Sequence, residues 1–151
     1  MQAEEQVAAR RNRMAVMARS GTTRLQELWA GLNLDPAYKL LRGPESGLIT
    51  LRGRVGGTGE PFNVGEATVT RASVKLDDGS VGHAVALGRD GAKARIAALV
   101  DALCHRLTMA VLIDAEMIAP LQRELDAADE KRRRQTAATR VDFFTMVRGE
   151  D

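Results

Sequence analysis

Apolar residues along the chain change rhythm twice, from helical spacing to alternation and back to helical spacing. Residues 3 to 19 are rich in helix formers and put Val7, Met14, Met17 and Ala18 on a loose stripe. Ser20 and Gly21 then supply a helix stop. Thr23 and Gln26 form a capping box for a second helix. Its Leu25, Leu28, Trp29 and Leu32 predict a face buried against a sheet or the first helix.

Strands are predicted from Pro36 onward. "AYKLLRG" reads as the first, and "GLITLRGRV" as the second, with Ile49, Leu51, Gly53 and Val55 alternating against Thr50, Arg52 and Arg54. In the third, "EATVTRASVKL", Ala67 and Val69 share one parity while Ala72, Val74 and Leu76 share the other. One extra residue near Thr70 and Arg71, a β-bulge, would restore a common apolar face. "DDG" at 77–79 closes a hairpin into the fourth strand, "SVGHAVALG". Four strands with short connections predict an antiparallel meander.

From Asp90 or Gly91, Ile96, Leu99, Val100, Leu103, Cys104 and Leu107 make one unbroken apolar stripe, a helix that should cover a face of the sheet. After Pro120 only Leu121, Leu125 and Ala128 precede a charged run. There Asp129 and Arg133, and Glu130 and Arg134, stand at ion-pair spacing, so this helix is solvated or lies against something outside the chain. The fold class is α+β: amino-terminal helices, a four-stranded antiparallel meander, carboxy-terminal helices and an extended tail. No repeat or linker divides it, so residues 1–151 form one domain.

The tail, 140–151, reads "RVDFFTMVRGED". Extended, Val141, Phe143, Thr145 and Val147 face one way, and Asp142, Phe144, Met146 and Arg148 the other. Burying Phe143, Phe144, Met146 and Val147 stabilises by about 1.5–3 kcal/mol each. Ordering the segment costs about 1–2 kcal/mol per residue in backbone entropy, so the two sums nearly cancel. Such a segment is ordered only where a surface adds hydrogen bonds and encloses both faces. It either wedges into its own domain or clamps another subunit.

Composition narrows the classes. Aromatic residues are 3% of the chain against 44% hydrophobic overall, so the core must be aliphatic. A net charge of +2 and the scarcity of stacking rings argue against nucleic acid. The single Cys104 excludes an intrachain disulfide and suits a reducing compartment. "MQAEEQVAARRNRM" has no apolar core like that of a signal peptide, and the longest apolar run, residues 109–113, is far short of a membrane span. A cytoplasmic protein without membrane contact is expected.

Candidate chemistry is sparse. "GGTGE" at 56–60 is either a phosphate cradle of backbone N–H groups or a hairpin loop needing unusual φ angles. It lacks the Lys and Ser/Thr of a Walker loop. Arg54 and Arg71 flank it and either supply charge to an anion or, as is commoner for an arginine on a wet strand face, are simply solvated. His83 shares parity with Val81, Val85 and Leu87, which reads as a satisfied histidine on a packed face. His105, four residues after Asp101, reads as a surface hydrogen-bonding group, and Cys104 as a small core residue. The residues make no catalytic constellation and no metal cluster.

"RVGGTGEPFNVGEATVTRASVKLDDGSVGHAVALGRD", residues 54–90, together with "RVDFFTMVRG" at 140–149, resembles the PhnG family of the bacterial carbon-phosphorus lyase system. The resemblance implies a subunit of a multi-protein core complex, a hetero-oligomer acting in organic phosphonate catabolism. With its partners such a subunit is needed to make α-D-ribose 1-methylphosphonate 5-triphosphate from ATP and methylphosphonate, a transferase reaction in which the phosphonate displaces adenine. It implies that catalytic residues lie in partner subunits and that this subunit binds no cofactor. A different subunit carries the iron-sulfur cluster and uses S-adenosylmethionine. Carried over by motif, Arg54, Gly56, Gly57, Thr58, Gly59 and Glu60 match the family's glycine loop, Thr70 and Arg71 its strand motif, and Arg140 to Gly149 its terminal signature. The loop is thereby expected at a substrate or partner site, and Val141, Phe143, Phe144, Met146, Val147 and Arg148 at a partner interface. The alternative is a stand-alone enzyme binding nucleotide phosphates with the glycine loop.

Overall fold

A three-stranded antiparallel meander organises the computed structural model, which describes residues 2–139. Its strands are β1 (Tyr38–Arg54), β2 (Pro61–Leu76) and β3 (Val81–Leu87), in that order across the sheet. The predicted α+β class and the meander hold, but there are three strands, not four. The first two predicted strands are one, running through Gly43 and Pro44. Proline breaks a ladder because it has no N–H to donate, yet β1 is an edge strand and its register slips on both sides of Arg42.

The bulge expected in β2 at Thr70 and Arg71 is absent, because β2 pairs with β3 without a slip from Val69 to Lys75. The extra residues sit in β1 across from Ala72 and Val74, and in β2 at Val64, where Leu51 pairs with Gly65 and Arg52 with Asn63. Ala67 and Val69 therefore face away from Ala72, Val74 and Leu76, as their parity says.

Helices α1 (Gln2–Arg19), α2 (Thr22–Gly31) and α3 (Gly91–Leu103) pack on one side. The remaining chain forms α4 (Leu107–Ile113), a π-helical turn (Asp114–Ile118) and α5 (Ala119–Ala138). Pro120 explains the π turn: without an N–H, and with a ring that crowds the carbonyl four residues back, it forces a local widening of the helix. Met117, Ile118 and Leu121 stay in the core across this transition.

In α1 the buried pair is Val16 and Met17, while Val7 is exposed, so the loose stripe located the buried face only at its end. In α2, Leu25 is fully buried, with Leu28, Trp29 and Leu32 against the core, as their spacing predicts. Its cap is Gly21 rather than the capping box, and the Thr22 hydroxyl donates to the Asp90 carboxylate. Asp90 also caps α3 by accepting from the Lys93 amide. The α3 stripe is buried from Ile96 to Leu103, but Leu107 lies beyond the helix end and is exposed.

The sheet face under α3 is built from small residues. Gly82, Ala84 and Ala86 lie on it beside Ala72 and Val74. A Cβ on Gly82 would stand 2.0 Å from the Ala98 carbonyl oxygen and 2.5 Å from the Ala102 nitrogen. The large residues of β3 are consequently on the other side: Val85 is 57% and Leu87 71% exposed, and His83 is exposed with them. The packed-face reading of His83 is thus corrected, since close helix approach required the smaller set of side chains inside.

One buried carboxylate ties three elements together. Asp101, 2% exposed, accepts from Arg10 Nε at 2.7 Å, from Arg10 Nη2 at 2.8 Å, and from the His83 amide at 2.9 Å. Removing either partner would strand a charge or an N–H in a dry site. On α5, Glu130 and Arg134 pair at 3.5 Å as their spacing predicts, whereas Asp129 engages Arg19 and Arg132 rather than Arg133.

Candidate functional site

Beyond the part of the sheet that α3 covers, β1 and β2 continue as a two-stranded arm. β3 pairs with β2 only from Val69 to Lys75, and the Gly88 amide donates to the Thr68 carbonyl at 2.8 Å to end that ladder. From Ser46 to Arg54 and from Pro61 to Ala67 the two strands have only each other as ladder partners among the described residues. The arm contributes nothing to the buried core. Cross-strand partners share a face, so Ile49 with Ala67 and Leu51 with Gly65 lie on one side, and Leu48 with Thr68 on the other. Leu48 (65%), Ile49, Leu51, Phe62 and Val64 (61%) are all exposed. The arm therefore shows apolar side chains on both faces. Sequence reasoning missed Phe62 and Val64, although the two-sided apolar signature used for the tail recurs here.

The glycine loop forms the tip. A short 3₁₀ turn covers Val55–Gly57; Gly56 has φ 59° and Gly57 φ 81°, values that a side chain disfavours. The Gly59 amide donates to the Val55 carbonyl at 2.9 Å, and Arg54 Nη1 donates to the Gly59 carbonyl at 3.1 Å. Arg54 thus closes the loop it precedes. Arg52, Gly53, Arg54, Gly57 and Pro61 line a shallow depression beside it. A second depression lies at the end of α5, where Asp129, Arg132, Arg133, Thr136 and Thr139 are among the residues that line it.

Arg54, Gly56, Gly57, Thr58, Gly59 and Glu60 are therefore together, but Thr70 and Arg71 are not with them. Thr70 lies nine residue steps along β2 from Pro61, roughly 30 Å at about 3.3 Å per residue. Thr70 is buried and donates to the Gly88 carbonyl at 2.7 Å. Its one proton being used there, it accepts from Ser46 Oγ at 2.9 Å and from the Asp90 amide at 3.1 Å. Thr70 fastens the root of the arm to the start of α3. Arg71 points to the opposite face and pairs with Glu45 at 3.2 Å in solvent. The tail residues Val141, Phe143, Phe144, Met146, Val147 and Arg148 lie outside the described residues.

The remaining candidates are local. Ser73 Oγ meets His83 Nδ1 at 2.8 Å on the exposed sheet face. Cys104 packs against the core, and burial pushes its thiol up to about 11, outweighing the Arg13 guanidinium that pulls it down. A neutral thiol in that position is a packing group. Among the described residues no cluster of three or more His, Cys, Asp or Glu is placed to hold a metal ion, and no helix is long and apolar enough to cross a membrane.

The chain matches the family model described as phosphonate metabolism protein PhnG over residues 8–149. It is also similar to the α-D-ribose 1-methylphosphonate 5-triphosphate synthase subunit PhnG of Rhizobium meliloti (strain 1021). The two are 48% identical over 147 residues, covering 96% of this chain and 92% of that protein.

Proposed function

Because the chain belongs to the PhnG family, we propose that it acts in the cytoplasm as a subunit of an α-D-ribose 1-methylphosphonate 5-triphosphate synthase. It contributes shaped surface, while reacting groups and any cofactor belong to its companions. The observation that carries this reading is the arm: a family-motif loop held far from the core on two strands that are apolar on both faces and, among the described residues, covered by no other element. A two-stranded ribbon of this kind is marginal in water and gains stability when another protein encloses it.

In the reaction a phosphonate oxygen forms a bond to the ribose anomeric carbon of ATP, and adenine departs with the electrons of the broken carbon-nitrogen bond. The triphosphate is carried through unchanged and needs to be held. At the tip, Arg52 and Arg54 line a shallow depression with Gly57, and their charge suits a polyanion. In this scheme the loop completes a nucleotide site whose other walls are a partner's. Val141 to Arg148 form a second partner contact.

The test is adenine release from ATP and methylphosphonate by the co-expressed synthase subunits. Arg54→Ala and Gly57→Val should leave the assembly's mass unchanged and lower adenine release at least tenfold. Full turnover by both variants would refute a role for the tip. ATP turnover by the isolated chain would favour a stand-alone enzyme instead.

A further inference from the structure

Among the described residues the arm has an open backbone edge as well as open faces. In an antiparallel strand, alternate residues direct both N–H and C=O to the same side. Thr68 directs its carbonyl toward the β3 side, where Gly88 donates to it. Glu66, two residues earlier, directs its amide and carbonyl the same way, past the point where the chain leaves β3 at Gly88 (φ 81°) for α3. Among the described residues no strand lies across from Glu66 on that side.

The surroundings of this slot define what fits it. On the outer face it is flanked by Leu87, 71% exposed, and by Ile49 across the arm. On the other face stands the Glu66 carboxylate, exposed on its strand. The segment from Ser46 to Thr68, tip included, is 23 residues long. That equals one side of a standard protein interface, about 20–30 residues.

From these features, and resting on the subunit reading above, we infer that β2 accepts a strand from a different subunit of the synthase. That strand lies along the arm in line with β3 and extends the sheet by β-augmentation. It carries apolar side chains toward Leu87 and Ile49, and a cationic one across from Glu66, since a cross-strand pair of opposite charge is favourable there. The new ladder satisfies the Glu66 backbone, and the added side chains cover the face that β3 leaves wet.

Glu66→Pro removes the outward amide without touching the β1–β2 ladder, and Glu66→Ala removes only the charge. With co-expressed partner subunits, Glu66→Pro should weaken assembly at least tenfold at unchanged thermal midpoint of the isolated chain. Glu66→Ala should weaken it a few-fold, in a salt-dependent way, and amide exchange at Glu66 should slow on assembly. A chain with residues 48–66 replaced by an Asn-Gly turn separates the two readings. Failure of that chain to assemble, with Glu66→Pro assembling like wild type, overturns strand pairing and leaves the subunit reading standing. Full assembly of both variants overturns docking by the arm altogether. If the isolated chain dimerises and Glu66→Pro abolishes that dimer, the occupant is a second copy and the assignment to a different subunit is overturned.

Discussion

Gly82→Ala tests the packing that sets which face of the sheet is inside. The added Cβ would sit 2.0 Å from the Ala98 oxygen and 2.5 Å from the Ala102 nitrogen, both backbone atoms of α3, so no side-chain rotation relieves the contact. To reach about 3.4 Å the helix must move by about 1.4 Å. That displacement loosens the contacts of Leu99, Val100 and Leu103, all buried. Overpacking of this kind costs about 1–3 kcal/mol, and a backbone clash belongs at the upper end, near 3. At roughly 2–4 °C per kcal/mol for a chain of this size, the thermal midpoint should fall by about 6–12 °C. Differential scanning calorimetry reads it directly, with Ala84→Gly as a control that removes volume rather than adding it. A Gly82→Ala midpoint within 2 °C of wild type would refute the close approach of α3 to β3.

Two further predictions concern titration. Burial raises the Asp90 carboxyl, but the hydrogen bonds from the Thr22 hydroxyl and the Lys93 amide outweigh it, so its pKa is lowered on folding. The sign then follows: its contribution is present above the ordinary carboxylate range and lost as pH falls through the folded value. Asp90→Ala should flatten that acid limb of a urea-midpoint-against-pH curve, and an unchanged limb would refute the assignment. For Cys104, a thiol pushed from 9.0 to about 11 holds on the order of a hundredfold less thiolate at pH 8. Native-state labelling by a disulfide reagent should be slower by at least that factor than labelling in urea; equal rates would show an accessible, unshifted thiol.

Helices α2 and α3 were legible because each carries one apolar stripe that the core uses. The sheet was legible in topology but not in polarity. Alternation marks two faces without saying which is inside, and the bulkier set, Val81, Val85 and Leu87, drew the inward reading. A nearby helix reversed it, for the room beside α3 admits only Gly82, Ala84 and Ala86. The break read at Gly43 and Pro44 failed for a related reason, since an edge strand with slipped register has no ladder bond there for proline to cost. At the site, the loop was found because glycines cluster in sequence. That Thr70 belongs to the arm's root rather than its tip depends on Ser46, Gly88 and Asp90 converging on one hydroxyl, a meeting that spacing along the chain does not encode.

The arm, uncovered among the described residues, has a consequence for the cell as well as for the complex. A ribbon with greasy sides and an open rim is an invitation to sticking when its intended neighbours are scarce. Copies made in excess of their companions should clump or be degraded, so the dose of this polypeptide has to follow theirs.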